Sequence, residues 1–320
     1  MVTRQTICVL GAAGGLGSAC VRAAVAAGHN TRALLRTARP GLFPESAQTV
    51  LCDANDPNSL TRAAEGCSAL LYCVNAPLAR WGTDLPRMLH SAREACRATG
   101  ARLVFPGNVW SYGPRAPGEL IDEQRPLTPT SRKGHVRAGL EQQLAQSDID
   151  YVVARLPEFY GPNVANPLMG GPFRAALAGH PILWLGGPLD VTVEYIFSDD
   201  AAHALLELAC ANTAAASGQT FHIPGVAHTT PRAFFRLVQE RAHNRKGVLG
   251  LPALALRAAA LVSAPARELL DIQHLWTHPV LLDGTAYRSR FGAVLATPYE
   301  QGITRTLEWF RAHPDAVNSN

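Results

Sequence analysis

For its length the sequence is short of charge and of cysteine: 17% of 320 residues are charged and seven are Cys, against 47% apolar residues. That apolar share excludes intrinsic disorder, and seven cysteines in so long a chain are too few for a disulfide scaffold. Their odd, scattered placement suggests a reducing compartment. No run of about 20 apolar residues occurs, which excludes a spanning helix. Neither a Cys-x-x-Cys pair nor a Gly-x-Ser-x-Gly elbow is present, so a thiolate metal site and a serine triad have no support. The net charge is +4, yet no block of five or six basic residues exists, and this points to a small anionic ligand rather than nucleic acid. Acid is missing altogether from the first 44 residues, which hold Arg4, Arg22, Arg32, Arg36 and Arg39.

The uncharged stretch Gln5 to Val21 follows Arg4 and superficially resembles a secretory signal. It opens, however, with a β-like run, Thr6-Ile7-Cys8-Val9-Leu10, and continues into glycines that would break a helix. A cytoplasmic protein is expected. Short apolar runs then alternate with helical segments. Strands are predicted at Thr6 to Leu10, Thr31 to Leu35, Thr49 to Cys52, Ala69 to Val74, Arg102 to Phe105 and Tyr151 to Leu156. Helices are predicted at Leu16 to Ala27, Ser59 to Glu65, Leu85 to Ala98 and Arg132 to Gln146. This alternation predicts an α/β fold with a doubly wound, Rossmann-type parallel sheet covered on both faces. Beyond it, Gly/Pro clusters interrupt the chain, Val191 to Phe197 and Thr220 to Ile223 read as strands that could return to the sheet, and a helical region follows Thr230. The expected division is a dinucleotide-binding part at 1–162 and 191–226, a smaller substrate-binding lobe at 163–190 and 227–314, and a frayed tail at 315–320.

Gly11-Ala12-Ala13-Gly14-Gly15-Leu16-Gly17 lies between a predicted strand and a predicted helix. In that setting Gly11 turns the chain out of the strand, Gly14 lets backbone approach a pyrophosphate, and Gly17 packs the helix on the sheet. The helix N-terminus offers N–H groups and a partial positive charge to phosphate. The spacing Gly-x-x-Gly-x-x-Gly resembles that of the short-chain dehydrogenase/reductases, and further stretches resemble their extended and atypical members, the NAD-dependent epimerase/dehydratase group. These are Asp53 after the third strand, Asn75-Ala76-Pro77 after the fourth, Val104 to Asn108 with Tyr112-Gly113-Pro114, Arg155-Leu156-Pro157 with Phe159 to Asn163, and Tyr195 to Ala202. The likeness implies that Gly11, Ala13, Gly14, Gly15, Leu16, Gly17, Asp53, Ala54, Asn75, Ala76 and Pro157 bind the dinucleotide. It also allows a homodimer.

Charge argues for the cofactor independently. An NAD-selective site places an acid at the end of the second strand, about 20 residues past the glycines, on the ribose 2′-hydroxyl. Here the first acid is Glu45, while Arg36 ends the strand and Arg39 follows. A guanidinium there pairs a 2′-phosphate, so NADP is expected ahead of NAD. Alternatively, Arg36 stacks on the adenine or is solvated.

The family's chemistry rests on a Ser or Thr after strand five and a Tyr-x-x-x-Lys pair on the next helix. Matching the resemblance places Asn108, Lys133 and Arg137 at those positions. Asn108 can orient a carbonyl, Lys133 can move a proton if its pKa falls, and Arg137 can hold ribose hydroxyls. The competing reading makes Lys133 and Arg137 a solvated or phosphate-contacting pair. Tyr112 and Tyr160 are candidates for a relocated phenol, more in keeping with structural duty, and Ser111 is a weaker substitute for the lost hydroxyl. An NADP-dependent reductase, or an epimerase or dehydratase, acting on a small carbonyl or sugar-like substrate is expected, with a non-catalytic dinucleotide sensor as the alternative. His274 and His278 are four apart, but Pro279 disfavours helix at His278, and no metal site is expected. Val248 to Val262 is expected to pack on the sheet or line an apolar pocket rather than lie on a membrane. Trp81, Trp110, Trp184 and Trp276 could contribute pocket walls, and of these only Trp110 is expected near the site.

Overall fold

A computed structural model describes residues 4–316, so of the expected tail 317–320 lie outside the described residues. Seven parallel strands form the main sheet: β1 (Thr6–Leu10), β2 (Asn30–Leu35), β3 (Ala47–Leu51), β4 (Ala69–Tyr72), β5 (Arg102–Asn108), β6 (Tyr151–Leu156) and, later in the chain, Gln219–His222. That last strand joins the edge beside β6, and the order across the sheet places it first, followed by β6, β5, β4, β1, β2 and β3. Every residue of β4 is buried, as expected of a parallel strand covered on both faces. The crossovers include helices α1 (Gly15–Ala26), α2 (Pro57–Ala64), α3 (Trp81–Thr99) and α4 (Arg132–Ala145). Local chemistry sets their starts. Asp56 accepts from Asn58 N at the head of α2, with Pro57 in its first turn, and Ser131 accepts from Gly134 N at the head of α4.

Two expectations about the later chain change. The run expected at Val191 to Phe197 forms β7's partner rather than a strand of the main sheet: β7 (Glu158–Tyr160) pairs in parallel with β8 (Val193–Phe197), in register Tyr195 with Glu158. A separate small sheet results because β7 peels away from β6 at Pro157, whose missing N–H cannot continue the ladder. The apolar stretch from Val248 does not pack on the main sheet either. It becomes a short strand, Val248–Gly250, and the helix α5 (Ala253–Val262), whose Leu254, Leu261 and Val262 are 74%, 82% and 88% exposed. Among the described side chains of α5, Leu256 and Ala260 are buried, in a small cluster shared with Ala266 of α6 (Ala264–Asp271).

Cys8 in β1 and Cys67 before β4 form a disulfide, while Cys20, Cys52, Cys73, Cys96 and Cys210 are free. The scatter of cysteines along the chain did not suggest this pair. Pairing of β1 with β4 brings together residues 59 apart in sequence. Among the described residues no helix is long and apolar enough to cross a membrane.

Candidate functional site

Strand order reverses beside β1, which has β4 on one side and β2 on the other. At such a switch point the loops leaving neighbouring strands diverge and open a crevice at their C-terminal ends. Gly11 leaves β1 with φ +76°, and a Cβ there would stand 2.5 Å from the Val74 backbone. A Cβ on Gly17 would stand 2.3 Å from Gly11 O, so the start of α1 presses directly on the turn. Gly14 differs: its Cβ would meet nothing nearer than Gly11 O at 3.5 Å. The fold itself therefore demands glycine at 11 and 17, whereas the space over Gly14 is left for something outside the chain. Gly14 caps α1 without any side-chain hydrogen bond, and the first turn holds no acid, so the N–H groups there keep their capacity for an anion.

Below this turn lies a cavity of about 670 Å³. Of the expected cofactor residues, Gly14, Gly15, Leu16, Asn75, Ala76 and Pro157 line it. Gly11, Ala13 and Gly17 stand behind them as the turn's framework. Arg36 is exposed just past β2. Asp53 and Ala54 follow β3 outside the cavity wall, and Asp53 accepts from Asn55 N at 2.9 Å and Asn55 Nδ2 at 3.1 Å. Those bonds from Asn55 hold the Asp53 carboxyl below its ordinary value, with Arg87 and Arg36 adding to the effect. Asp53 thus builds its own turn and adds a charge near Arg36.

The three expected catalytic positions separate. Asn108 ends β5 on the cavity wall, where its Oδ1 accepts from Trp110 N at 3.2 Å, leaving the amide NH₂ as the group it can offer. Arg137 also lines the cavity. Its Nη2 donates to Pro106 O, and its guanidinium lies 5.0 Å from the Phe105 ring centre and 5.9 Å from that of Trp81. Burial pulls its pKa below an arginine's ordinary value, and its Nε is buried without a partner. Lys133 does not reach the cavity. Its Nζ pairs with Glu268 Oε2 and lies 3.4 Å from Asp271 Oδ2, both on α6. The reason is tertiary: α6 brings two carboxylates over the first turn of α4, and a lysine only 3% exposed takes the partners that compensate its charge. Lys133 therefore ties α6 down, while Ala264, Pro265, Glu268 and Leu269 of α6 close one side of the cavity.

The phenol candidates are engaged elsewhere. Tyr112 is fully buried, its hydroxyl 2.8 Å from His222 Nε2 and bonded by Arg155 Nη1, and burial pushes its pKa up to about 12. Tyr160 is 1% exposed among Phe173, Phe197 and Phe234. Ser111 Oγ donates to Glu141. His222 in this network is pushed down to about 4, chiefly by burial and then by the Arg155 charge. A depressed histidine pKa means that the unfolded chain binds the extra proton, so its stabilisation is present above pH 6.5 and lost as pH falls toward 4. Glu194, pushed up to about 7 by burial, works in the opposite sense, losing stabilisation as pH rises through 7. Melting curves of the wild type and His222→Gln across this range should therefore converge at the acidic end; parallel curves would show that His222 is not held neutral.

Sequence reasoning missed three residues that shape the site. Trp81 lines the cavity with Trp110, the two rings stacked at 4.9 Å, although only Trp110 was expected there. Asn163, in the left-handed region at φ 63°, donates from Nδ2 to Ala13 O at 2.9 Å and clamps the glycine turn. Glu158, directly after Pro157, lines the cavity and accepts from Trp110 Nε1 at 2.9 Å. A carboxylate directly after the Arg-Leu-Pro stretch was the available signal for the last. Among the described residues no group of three or more His, Cys, Asp or Glu could hold a metal ion, and His278 sits outside the short helix His274–Thr277.

Known proteins resemble this chain in sequence and in fold. The chain is 32% identical over 217 residues, 62% of its length and 70% of the other's, to a 3-diazoavenalumate denitrifying reductase of a Streptomyces species. In fold it is similar to the Bordetella bronchiseptica enzyme WbmH in complex with NAD+, with a TM-score of 0.73 at 17% identity over 97% of this chain and 99% of that one. It is likewise similar to UDP-glucose 4-epimerase of Thermotoga maritima, with a TM-score of 0.78 at 19% identity over 97% and 100% of the two chains. The model of the NAD dependent epimerase/dehydratase family matches residues 7–223, the span from β1 through the last strand of the main sheet, and the chain belongs to that family.

Proposed function

We propose that the protein is an NADP-dependent reductase acting on a small, largely apolar carbonyl compound. The observation that carries this reading is the wall of the cavity: Trp81, Trp110, Leu78, Phe159, Leu168 and Leu269 supply apolar surface, and among the described residues Arg137 is the one cationic side chain lining it. A sugar nucleotide needs cations for its diphosphate. Here the other charged lining residues are Glu158 and Glu268, which disfavour that substrate class. The name of the Streptomyces relative, a reductase, supports the same direction. The dinucleotide-binding part comprises 1–162 and 191–226, and α6 belongs to the lobe that covers the substrate.

NADP would lie along the glycine turn with its pyrophosphate over Gly14 and Gly15, its adenosine phosphate at Arg36, and its nicotinamide toward Asn108 and Arg137. When bound in reduced form it supplies a hydride. Arg137 holds ribose hydroxyls, Asn108 offers its NH₂ to the substrate oxygen, and Trp81 with Trp110 excludes water. Lys133 acts as the latch of α6 and not as a proton donor. A second reading, a dinucleotide sensor without turnover, draws on that same loss of the Lys133 amine.

Purified protein mixed with NADPH and a panel of aldehydes and ketones should lose reduced-nicotinamide absorbance, faster than with NADH. Arg36→Asp should weaken NADP binding by about 10- to 100-fold and leave NAD binding nearly unchanged, as loss of one charged hydrogen-bonding partner predicts. No turnover with any compound would favour the sensor, and equal loss for both cofactors would remove Arg36 from the 2′-phosphate.

A further inference from the structure

We propose that Glu158 is the catalytic proton donor of this site, delivering a proton from its carboxylic acid to the substrate oxygen. The proposal rests on the reductase reading above. Three observations converge on this side chain. It lines the cavity together with Asn108 and Arg137, the two expected catalytic residues that reach it. One oxygen, Oε1, is fixed by Trp110 Nε1 at 2.9 Å, while Oε2 has no hydrogen-bond partner among the described residues and Glu158 is half-buried at the cavity wall. Among the described residues no ion pair involves the carboxyl, since the nearby cation Lys133 is taken by Glu268 and Arg155 by Glu141.

The surroundings favour the acid form. Trp110 and Phe159 present apolar surface, and burial raises the Glu158 carboxyl above its ordinary value, with the Trp110 bond opposing. The titratable and charged groups lining the same cavity are Arg137 on α4, Glu268 on α6, Tyr72 on β4 and Cys73 just after it, and Tyr195 stands beside Glu158 in the β7–β8 pairing. Arg137 is turned to Pro106 O and the Phe105 ring, Glu268 is neutralised by Lys133, and Tyr195 lies within the aromatic cluster around Phe234. A carboxylic acid so placed resembles in its chemistry a phenol: one O–H aimed into a dry cleft.

The step balances. A hydride from reduced NADP, which would be left oxidised, would carry two electrons to the carbonyl carbon; the C=O π bond opens, and its electron pair takes the proton from Glu158 Oε2. The product is an alcohol, and Glu158 is left as carboxylate, regaining its proton from water. Fixing Oε1 through Trp110 keeps Oε2 directed at the substrate; Trp110 is thus a positioning residue.

Glu158→Gln preserves shape and the Trp110 bond but cannot donate an acidic proton. Three measurements are made on the intact protein. The infrared difference between wild type and Glu158→Gln at neutral pH should contain the C=O stretch of a protonated carboxylic acid, and this band should vanish at alkaline pH. With the carbonyl compound turned over fastest by the wild type, kcat should fall by about 10²- to 10⁴-fold while KM and NADPH affinity stay unchanged. The wild-type rate should decline as pH rises past the carboxyl's titration, and Glu158→Asp should regain part of the activity with a shifted profile. Absence of the infrared band, or an unchanged kcat in Glu158→Gln, overturns the proposal and leaves the reductase reading standing. A wild type that reduces no carbonyl compound overturns both.

Discussion

Glu141→Ala is expected to destabilise the protein by about 3–5 kcal/mol, the range for stripping one partner from a buried ion pair. Glu141 and Arg155 are each 6% exposed, and Arg155 approaches Glu141 Oε2 with Nε at 2.9 Å and Nη2 at 2.6 Å. Without the carboxylate the guanidinium has no anion left in this pocket, only the Tyr112 hydroxyl. Moreover, β5 is shaped around the pair: a Cβ on Gly107 would stand 2.9 Å from Arg155 Cγ and 3.0 Å from Glu141 Oε1. The chain in this region cannot easily collapse onto the gap. Urea titration should report the loss as a lower midpoint with an unchanged slope. The double variant Glu141→Leu/Arg155→Met should recover much of it, because an apolar pair has no desolvation cost to compensate. A loss below about 1 kcal/mol for the single variant would mean that water reaches the pair, as at surface ion pairs.

The second large effect separates two glycines only three residues apart. Gly17→Ala forces a methyl group to 2.3 Å from Gly11 O and 2.9 Å from Ala12 Cα, both backbone atoms that no rotamer change can move. Destabilisation of at least about 3 kcal/mol is expected, at or beyond the upper end for overpacked cores. Gly14→Ala, at φ −78° and ψ 169°, enters ordinary backbone space and meets no clash. Its melting temperature should hardly change. Its NADP affinity should drop by about 30-fold or more, since the methyl group occupies the approach to the pyrophosphate and removes charged hydrogen bonds worth about 2–3 kcal/mol. Thermal melts and cofactor titrations on both variants decide the matter. A Gly14→Ala protein that binds NADP like the wild type would detach the glycine turn from dinucleotide binding.

Much of the scaffold was legible in the chain because its signals are local. Apolar runs such as Ile7-Cys8-Val9-Leu10 bury all four side chains, and β1 and β6 have the predicted bounds, Thr6–Leu10 and Tyr151–Leu156. Most helix ends shifted by one to four residues: α2 begins at Pro57 behind the Asp56 cap, ahead of the expected Ser59, and α3 begins at Trp81 rather than Leu85, while α4 begins at Arg132 as expected. The return of Val191 to Phe197 to the main sheet failed because hydrophobicity names a strand and not its partner. Packing of the Val248 to Val262 stretch on the main sheet failed for a similar reason, although its first residues line a smaller pocket. Composition predicts a wish for apolar neighbours, but the neighbour that α5 finds is α6, leaving its outer face exposed.

The sequence by itself determined the family scaffold and the glycine turn between β1 and α1. The order of strand, glycines and helix needs no distant partner, and the arginine in place of an acid after β2 is a statement about charge at one known position. Only the tertiary structure decided which polar residues face the cleft. Lys133 and Arg137 are four apart on α4 and equal in charge, yet two carboxylates from α6, more than 130 residues further along, capture the first and leave the second on the cavity wall. Glu158 comes to the cavity because β7 diverges from β6 after Pro157 and packs beside β8, bringing its carboxyl to Trp110 from 48 residues away. Electrostatic pairing and strand pairing act through space, and residue spacing alone could not select among the partners.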